Sequence, residues 1–231
     1  MAAEAVKKAF SRGINILLDH GINLIEWGEQ VHLYWGYPAV VSVYDFAVED
    51  SRLDEAAKLL ENSNAGFELV DPPVAAKAKG VLGEKGYHFI HQVDTKRFPS
   101  RIHLIPESLV HLSIHDAELV SSPFDSTREL YRPKLPQHCI SLVKCMEDYS
   151  ARSINRSLVE RSLNIIITTA IYKEPKVGGK IYNPEEETES EEEFKVRQDA
   201  AIRIIEGWEL SENDEPYRSK MIKFLVSNSI D

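Results

Sequence analysis

Apolar positions in the first half of the chain alternate between helical and strand spacing. A helix is predicted over residues 3–19, where apolar side chains recur every three or four positions and Gly21 follows as a stop. A second amphipathic helix is predicted over 52–62. Runs of β-branched and aromatic residues predict strands at 22–25, 39–48, 67–70, 87–93 and 101–105. This order predicts an α/β (α+β) fold on a small mixed sheet.

The second half of the chain has helical spacing and no further strand pattern. Residues 131–136, which contain two prolines, are interpreted as a rigid linker. From residue 137 onward, apolar side chains recur every three or four positions, which predicts four helices. The sequence therefore predicts two domains with a cleft between them: an α/β domain over 1–130 and an all-helical C-terminal domain over 131–231.

A glycine turn followed by a strand that carries one acid suggests a binding site. Trp27, Gly28 and Glu29 form the turn, a short helix follows, and the next strand contains Asp45. An ionised group in such an apolar strand must point out of the sheet or be held by partners, because an unpaired buried charge is very unfavourable. Asp45 is therefore either a metal ligand or general base, or a carboxylate paired with a base such as Arg101.

Aromatic and basic side chains near the turn suggest a ligand pocket. Trp27 and Tyr44 belong to an aromatic group that either stacks on a planar ligand or forms core. Five basic residues flank the expected cleft and are interpreted either as a pocket for an anionic ligand or as solvated surface charges: Arg97, Arg101, Arg128, Arg132 and Lys134.

Five histidines lie between residues 88 and 115. His88 and His103 are expected to face each other across adjacent strands. Such a group indicates either a zinc site or half-buried histidines with satisfied ring nitrogens. The spacing favours the second reading, because it contains no clean ligand motif.

Composition limits the classes of partner. The net charge is −10, most of it from seven glutamates between residues 185 and 193, so the sequence predicts no broad nucleic-acid-binding surface. Cys139 and Cys145 are expected to be reduced core thiols. The sequence shows neither an uninterrupted apolar run of signal-peptide length near its start nor one long enough to span a membrane, so we expect no membrane partner and a cytoplasmic location.

The order of these elements resembles the nucleotidyltransferase fold, in particular the small antibiotic-modifying and toxin-associated nucleotidyltransferases. The likeness covers roughly residues 13–112. It rests on a glycine turn after a strand, a short helix, an acid-bearing strand, a helix beginning Leu-x-x-Ala-x-x-Leu-Leu at Leu53, a Gly-Phe strand and a later strand ending in proline. It implies transfer of a nucleotidyl group to a small molecule or protein, with Mg²⁺ held by three carboxylates.

The resemblance places the paired carboxylates at Val43 and Asp45 and the third at His103, so one of the three is present. Glu29 lies where phosphates would approach. Asp45 and Glu49 are the only same-face carboxylate pair on this strand and are the expected Mg²⁺ ligands.

These departures add a second hypothesis: a retained fold that binds a small molecule, a nucleotide or a partner, or that catalyses a different reaction through His103, Glu29 and Tyr44. In both hypotheses the expected ligand-binding residues are Trp27, Gly28, Tyr44, Arg101 and Arg132.

Overall fold

A seven-stranded sheet forms the centre of the protein. A computed structural model describes residues 2–38, 40–92, 94, 99–172, 190–227 and 230. The strands are β1 (Ile25–Trp27), β2 (Val43–Val48), β3 (Phe67–Val70), β4 (Tyr87–His91), β5 (Arg101–Pro106), β6 (Ala117–Ser121) and β7 (Glu129–Pro133). Their order across the sheet is β3-β4-β5-β2-β1-β7-β6.

The sheet is mixed, as predicted. β1 runs antiparallel to β2, β2 runs parallel to β5, and β1 runs parallel to β7. In this register Asp45 lies between Trp27 on one side and His103 on the other. The register therefore brings Asp45 next to His103, which is 58 positions away in the chain.

Helices complete the fold, and in the described part of the chain they dominate the C-terminal half. They are α1 (Ala2–Asp19), α2 (Glu29–Tyr34), α3 (Leu53–Asn62), α4 (Val74–Lys77), α5 (Val81–Glu84), α6 (Leu135–Glu147), α7 (Ile154–Ile166), α8 (Glu191–Glu206) and α9 (Glu215–Ser227). A π-helical turn, Ile167–Ile171, continues α7.

Each face of the sheet packs against a different set of helices. Phe46 and Val48 of β2 are buried with α1 and α3. Ala47 and Ile105 are buried with α6, α7, α8 and α9. Because side chains alternate along a strand, Asp45 shares the face of Ala47 and points toward the C-terminal helices.

The predicted linker over residues 131–136 is wrong. Residues 129–133 form β7, which pairs with β1 and β6, and β6 itself had no strand pattern that we recognised. The two prolines misled the interpretation: Pro133 ends the strand and Pro136 lies in the first turn of α6, where a missing N–H costs little. The boundary between 130 and 131 thus falls within a strand, and the two-domain division stays a prediction.

The end of the acidic run is helical. α8 starts at Glu191, where Ser190 and Glu193 form a reciprocal cap; residues 185–189 lie outside the described ranges. Cys139 and Cys145 are buried and free, as predicted. No helix in the described ranges combines the length and the apolar character needed to cross a bilayer.

Candidate functional site

The turn after β1 requires glycine for two reasons. Gly28 has φ 73° and ψ −145°, a backbone conformation that other residues rarely adopt. A Cβ atom at this position would lie 2.4 Å from the Asp45 Oδ2 atom. The turn and the Asp45 carboxylate therefore fit together only when residue 28 is glycine.

Gln30 holds the backbone of Asp45 where β1 ends. Its side-chain amide donates to the Asp45 carbonyl oxygen at 2.7 Å, and its carbonyl accepts from the Asp45 N–H at 2.9 Å. This pair of bonds continues the strand ladder beyond Trp27, with a side chain in place of a backbone. Sequence reasoning missed Gln30, whose only signal was an amide in a short apolar helix.

Asp45 forms a buried ion pair with His103. The Asp45 Oδ1 atom lies 2.8 Å from His103 Nδ1, and the side chains are 6% and 2% exposed. His103 Nε2 lies 2.8 Å from the carbonyl oxygen of Lys85, which can only accept. With Asp45 ionised, each ring nitrogen donates a proton, which is the hydrogen-bond pattern of an imidazolium. The partner predicted for Asp45, Arg101, is replaced by His103 because the parallel pairing of β2 and β5 aligns these two residues.

His88 stacks on His103, as the sequence predicted for these strands. The ring centroids are 3.9 Å apart with an angle of 10° between the planes. The pKa of His88 is lowered to about 4, chiefly by burial and next by the neighbouring charge of His103. Because neutral His88 donates from Nε2 to the Gly83 carbonyl oxygen at 2.9 Å, its Nδ1 carries a lone pair, and that atom is buried without a partner among the described residues.

A second buried histidine pair lies on α2 and α6. Burial lowers the pKa of His32 to about 4, with Lys79 acting in the same direction. Burial also lowers the pKa of His138, to about 3. The ring centroids are 6.3 Å apart, and neither ring nitrogen of His138 has a partner in the described structure. Both rings are therefore neutral in the folded protein.

Some of the other predicted site residues lie on elements next to Asp45 and His103, and others have partners elsewhere in the protein. Arg101 lies two positions before His103 on the same strand face, and its Nη1 atom is buried without a partner among described residues. Trp27 lies at the end of β1, where its indole N–H donates to Ser141 at 3.4 Å. Glu29 opens α2 beside Gly28.

Two predicted ligand-binding residues have internal partners instead. Tyr44 points to the opposite face, where its ring lies 5.4 Å from Phe10 and 5.0 Å from Phe124. The structure does not bring it together with His103. Arg132 donates to Glu26 at 2.6 Å and lies over the ring of Tyr34. Burial raises the pKa of Glu26 and Arg132 opposes this rise, so the acid, which sequence reasoning missed, is held as a partner of arginine.

The wider basic pocket is not assembled as predicted. Arg128 pairs with Asp19 at 2.7 Å, and Arg97 lies outside the described residues. Of the five basic residues predicted to form the pocket, Arg101 lies beside the pair of Asp45 and His103.

The expected Mg²⁺ ligands do not fit a magnesium site. Glu49 lies four residues beyond Asp45, which corresponds to about 13 Å along an extended strand. Its carboxylate accepts from the Ser51 hydroxyl, and Asp45 Oδ1 accepts from His103. In the described ranges, no three His, Cys, Asp or Glu side chains are grouped in a way that could hold a metal ion. A Mg²⁺ ion prefers about six oxygen ligands, so we assign no chemical step to it.

Comparisons of the chain with protein-family models, with curated proteins and with solved structures find no match.

Replacing His138 by phenylalanine is expected to weaken the acid sensitivity of the fold. The unfolded chain takes up a proton on this histidine below about pH 6.5 whereas the folded protein does not, so stability falls as pH drops from 6.5 toward 3. At pH 5 this contribution is about 2 kcal/mol. Urea unfolding at pH 7 and pH 5 should show that the loss on acidification is smaller by roughly this amount in His138→Phe.

The exposed His115→Asn variant serves as the control and should lose as much stability between pH 7 and pH 5 as the wild type. An equal loss in His138→Phe would show that His138 is protonated in the folded state.

Proposed function

We propose that this chain is a small-molecule-binding protein with a nucleotidyltransferase-like order of elements, and that its ligand is a nucleotide or a similar anion. The observation that carries the proposal is the buried contact of 2.8 Å between Asp45 Oδ1 and His103 Nδ1. An internal ion pair stands where the resemblance expects two metal-binding carboxylates.

This ion pair disfavours two-metal chemistry. Two-metal catalysis requires several carboxylate oxygens around both ions. Here one oxygen of Asp45 already accepts a hydrogen bond, and the other lies against Gly28. The adjacent His103 is positively charged, so it repels a divalent cation from the remaining oxygen.

Arg101 favours an anionic ligand. Its guanidinium Nη1 atom is buried with no partner among the described residues, and burial lowers the pKa of this side chain. A buried N–H group without an acceptor is costly, and a phosphate or carboxylate oxygen is its strongest acceptor. His103 lies two positions away on the same strand face, but its ring is paired with Asp45, so Arg101 is the cation that the site offers to such a ligand.

Calorimetric titration with ATP, GTP, CTP and UTP tests the proposal. We expect at least one triphosphate to bind, with the same affinity in EDTA as in excess Mg²⁺, because the site has no metal ligands to contribute. Binding that requires Mg²⁺, or no binding of any of the four, would contradict the proposal.

Arg101→Met should weaken the same binding at least about tenfold, since a charge-assisted hydrogen bond is lost. Arg128→Met is the matched control: it removes one arginine whose partner, Asp19, is outside the site, so its affinity should equal that of the wild type.

Nucleotidyl transfer is the second candidate function. The specific observation in its favour is that Asp45 Oδ2 lies against the glycine turn, where the resemblance expects the phosphates. A transferase would release pyrophosphate from a triphosphate in the presence of Mg²⁺ or Mn²⁺ and a suitable acceptor.

We expect Asp45→Asn to distinguish the two candidates in a pyrophosphate-release assay with a panel of small-molecule and protein acceptors. The binding proposal predicts no release above background from the wild type or the variant. Metal-dependent release by the wild type that Asp45→Asn abolishes would instead establish transfer.

A further inference from the structure

An open cleft lies at the β3 edge of the sheet. Its volume is about 540 Å³, and its lining includes Leu69, Val70, Asp71, Pro72, Glu84 and His88. The cleft reaches β4 through His88, whose ring stacks on His103, but its lining includes neither Arg101, His103 nor Asp45 of the anion site proposed above.

Two polar side chains of the cleft, Asp71 and Glu84, are carboxylates that accept hydrogen bonds, and the hydroxyl of a third, Tyr87, already donates to Asp54. Asp71 and Glu84 are exposed, and the described structure gives them neither a hydrogen bond nor an ion pair. Among the described lining residues none is lysine or arginine. Two uncompensated carboxylates therefore face one cleft.

His88 adds a third acceptor of a different kind. The residue is only 2% exposed, and it lines the same cleft. Its Nε2–H is used by the Gly83 carbonyl oxygen, which leaves the buried Nδ1 lone pair without a partner in the described residues. A buried acceptor without a donor is unfavourable, so a ligand N–H group that reached it would gain a contact that the free protein lacks.

An apolar wall accompanies these acceptors. Leu69 is 41% exposed, although it is a large aliphatic side chain on a strand. Val70 and Pro72 also line the cleft. Carboxylates beside an apolar surface suit a ligand with a charged head and an aliphatic stem.

We propose that this cleft binds an organic cation with several N–H donors, a guanidinium or ammonium group on an aliphatic stem. The carboxylates of Asp71 and Glu84 accept from the head group, and Leu69, Val70 and Pro72 contact the stem. The neutral ring of His88 forms part of the floor. Such a cation is supplied either by a free small molecule or by an arginine or lysine side chain of another protein.

Titration of the full chain with butylguanidinium, followed by NMR, tests the proposal. Butylurea is the matched ligand control, because it has a closely similar size and stem but no charge. We expect butylguanidinium to bind and to shift the ring nitrogen resonances of His88, and butylurea to leave them unchanged. Equal binding of the two ligands, or binding of neither, would overturn the proposal.

The double variant Asp71→Asn, Glu84→Gln preserves the shape of both side chains and should weaken butylguanidinium binding at least about tenfold. A second double variant, Glu61→Gln, Glu68→Gln, changes the net charge equally on exposed residues outside the cleft lining and should bind within about twofold of the wild type. Equal losses in the two variants would show non-specific attraction to an acidic protein and overturn the assignment.

The peptide acetyl-Gly-Arg-Gly-amide distinguishes the two sources of the cation. Binding at least tenfold tighter than butylguanidinium, and sensitive to Asp71→Asn, Glu84→Gln, supports a protein side chain as the ligand. Weaker or equal binding supports a free small cation.

Discussion

The buried ion pair between Asp45 and His103 is the constraint on which the centre of this structure depends. Transfer of two charges from water into the interior is costly, and each member of the pair is also held in position from outside the pair. Gln30 fixes the backbone of Asp45, and the Lys85 carbonyl oxygen accepts from His103. Removal of one member of such a pair typically costs about 3–5 kcal/mol, because the other charge is left buried.

The ion pair also determines the chemistry around it. Gly28 must be glycine because the Asp45 carboxylate occupies the space of a side chain. His88 stays neutral because it is buried and because its ring stacks on the charged His103. The neutral ring keeps a lone pair on Nδ1, which is buried without a partner among the described residues. Both proposed sites adjoin this ion pair: the anion site through Arg101, two positions before His103, and the cleft through His88, which stacks on His103.

Local sequence patterns were enough to predict the class of fold and the position of Asp45. The α/β fold, the mixed sheet, the pairing of His88 with His103 and the buried cysteines all follow from spacing within single elements or adjacent strands. The identity of the partner of Asp45 required the register between β2 and β5, which lie far apart in the chain. Gln30 and the Glu26–Arg132 pair were missed because both depend on non-local strand pairing, and the segment that carries Arg132 was interpreted as a linker.

The protonation state of His103 tests the central claim most directly. We expect the two ring nitrogens of His103 in the ¹⁵N-labelled protein at pH 7 to give closely spaced resonances, as a doubly protonated ring does, with no change when Mg²⁺ is added. Asp45→Asn, which removes the counter-charge, should change this pattern. Widely separated resonances of a neutral ring in the wild type, or a shift on addition of Mg²⁺, would contradict the account.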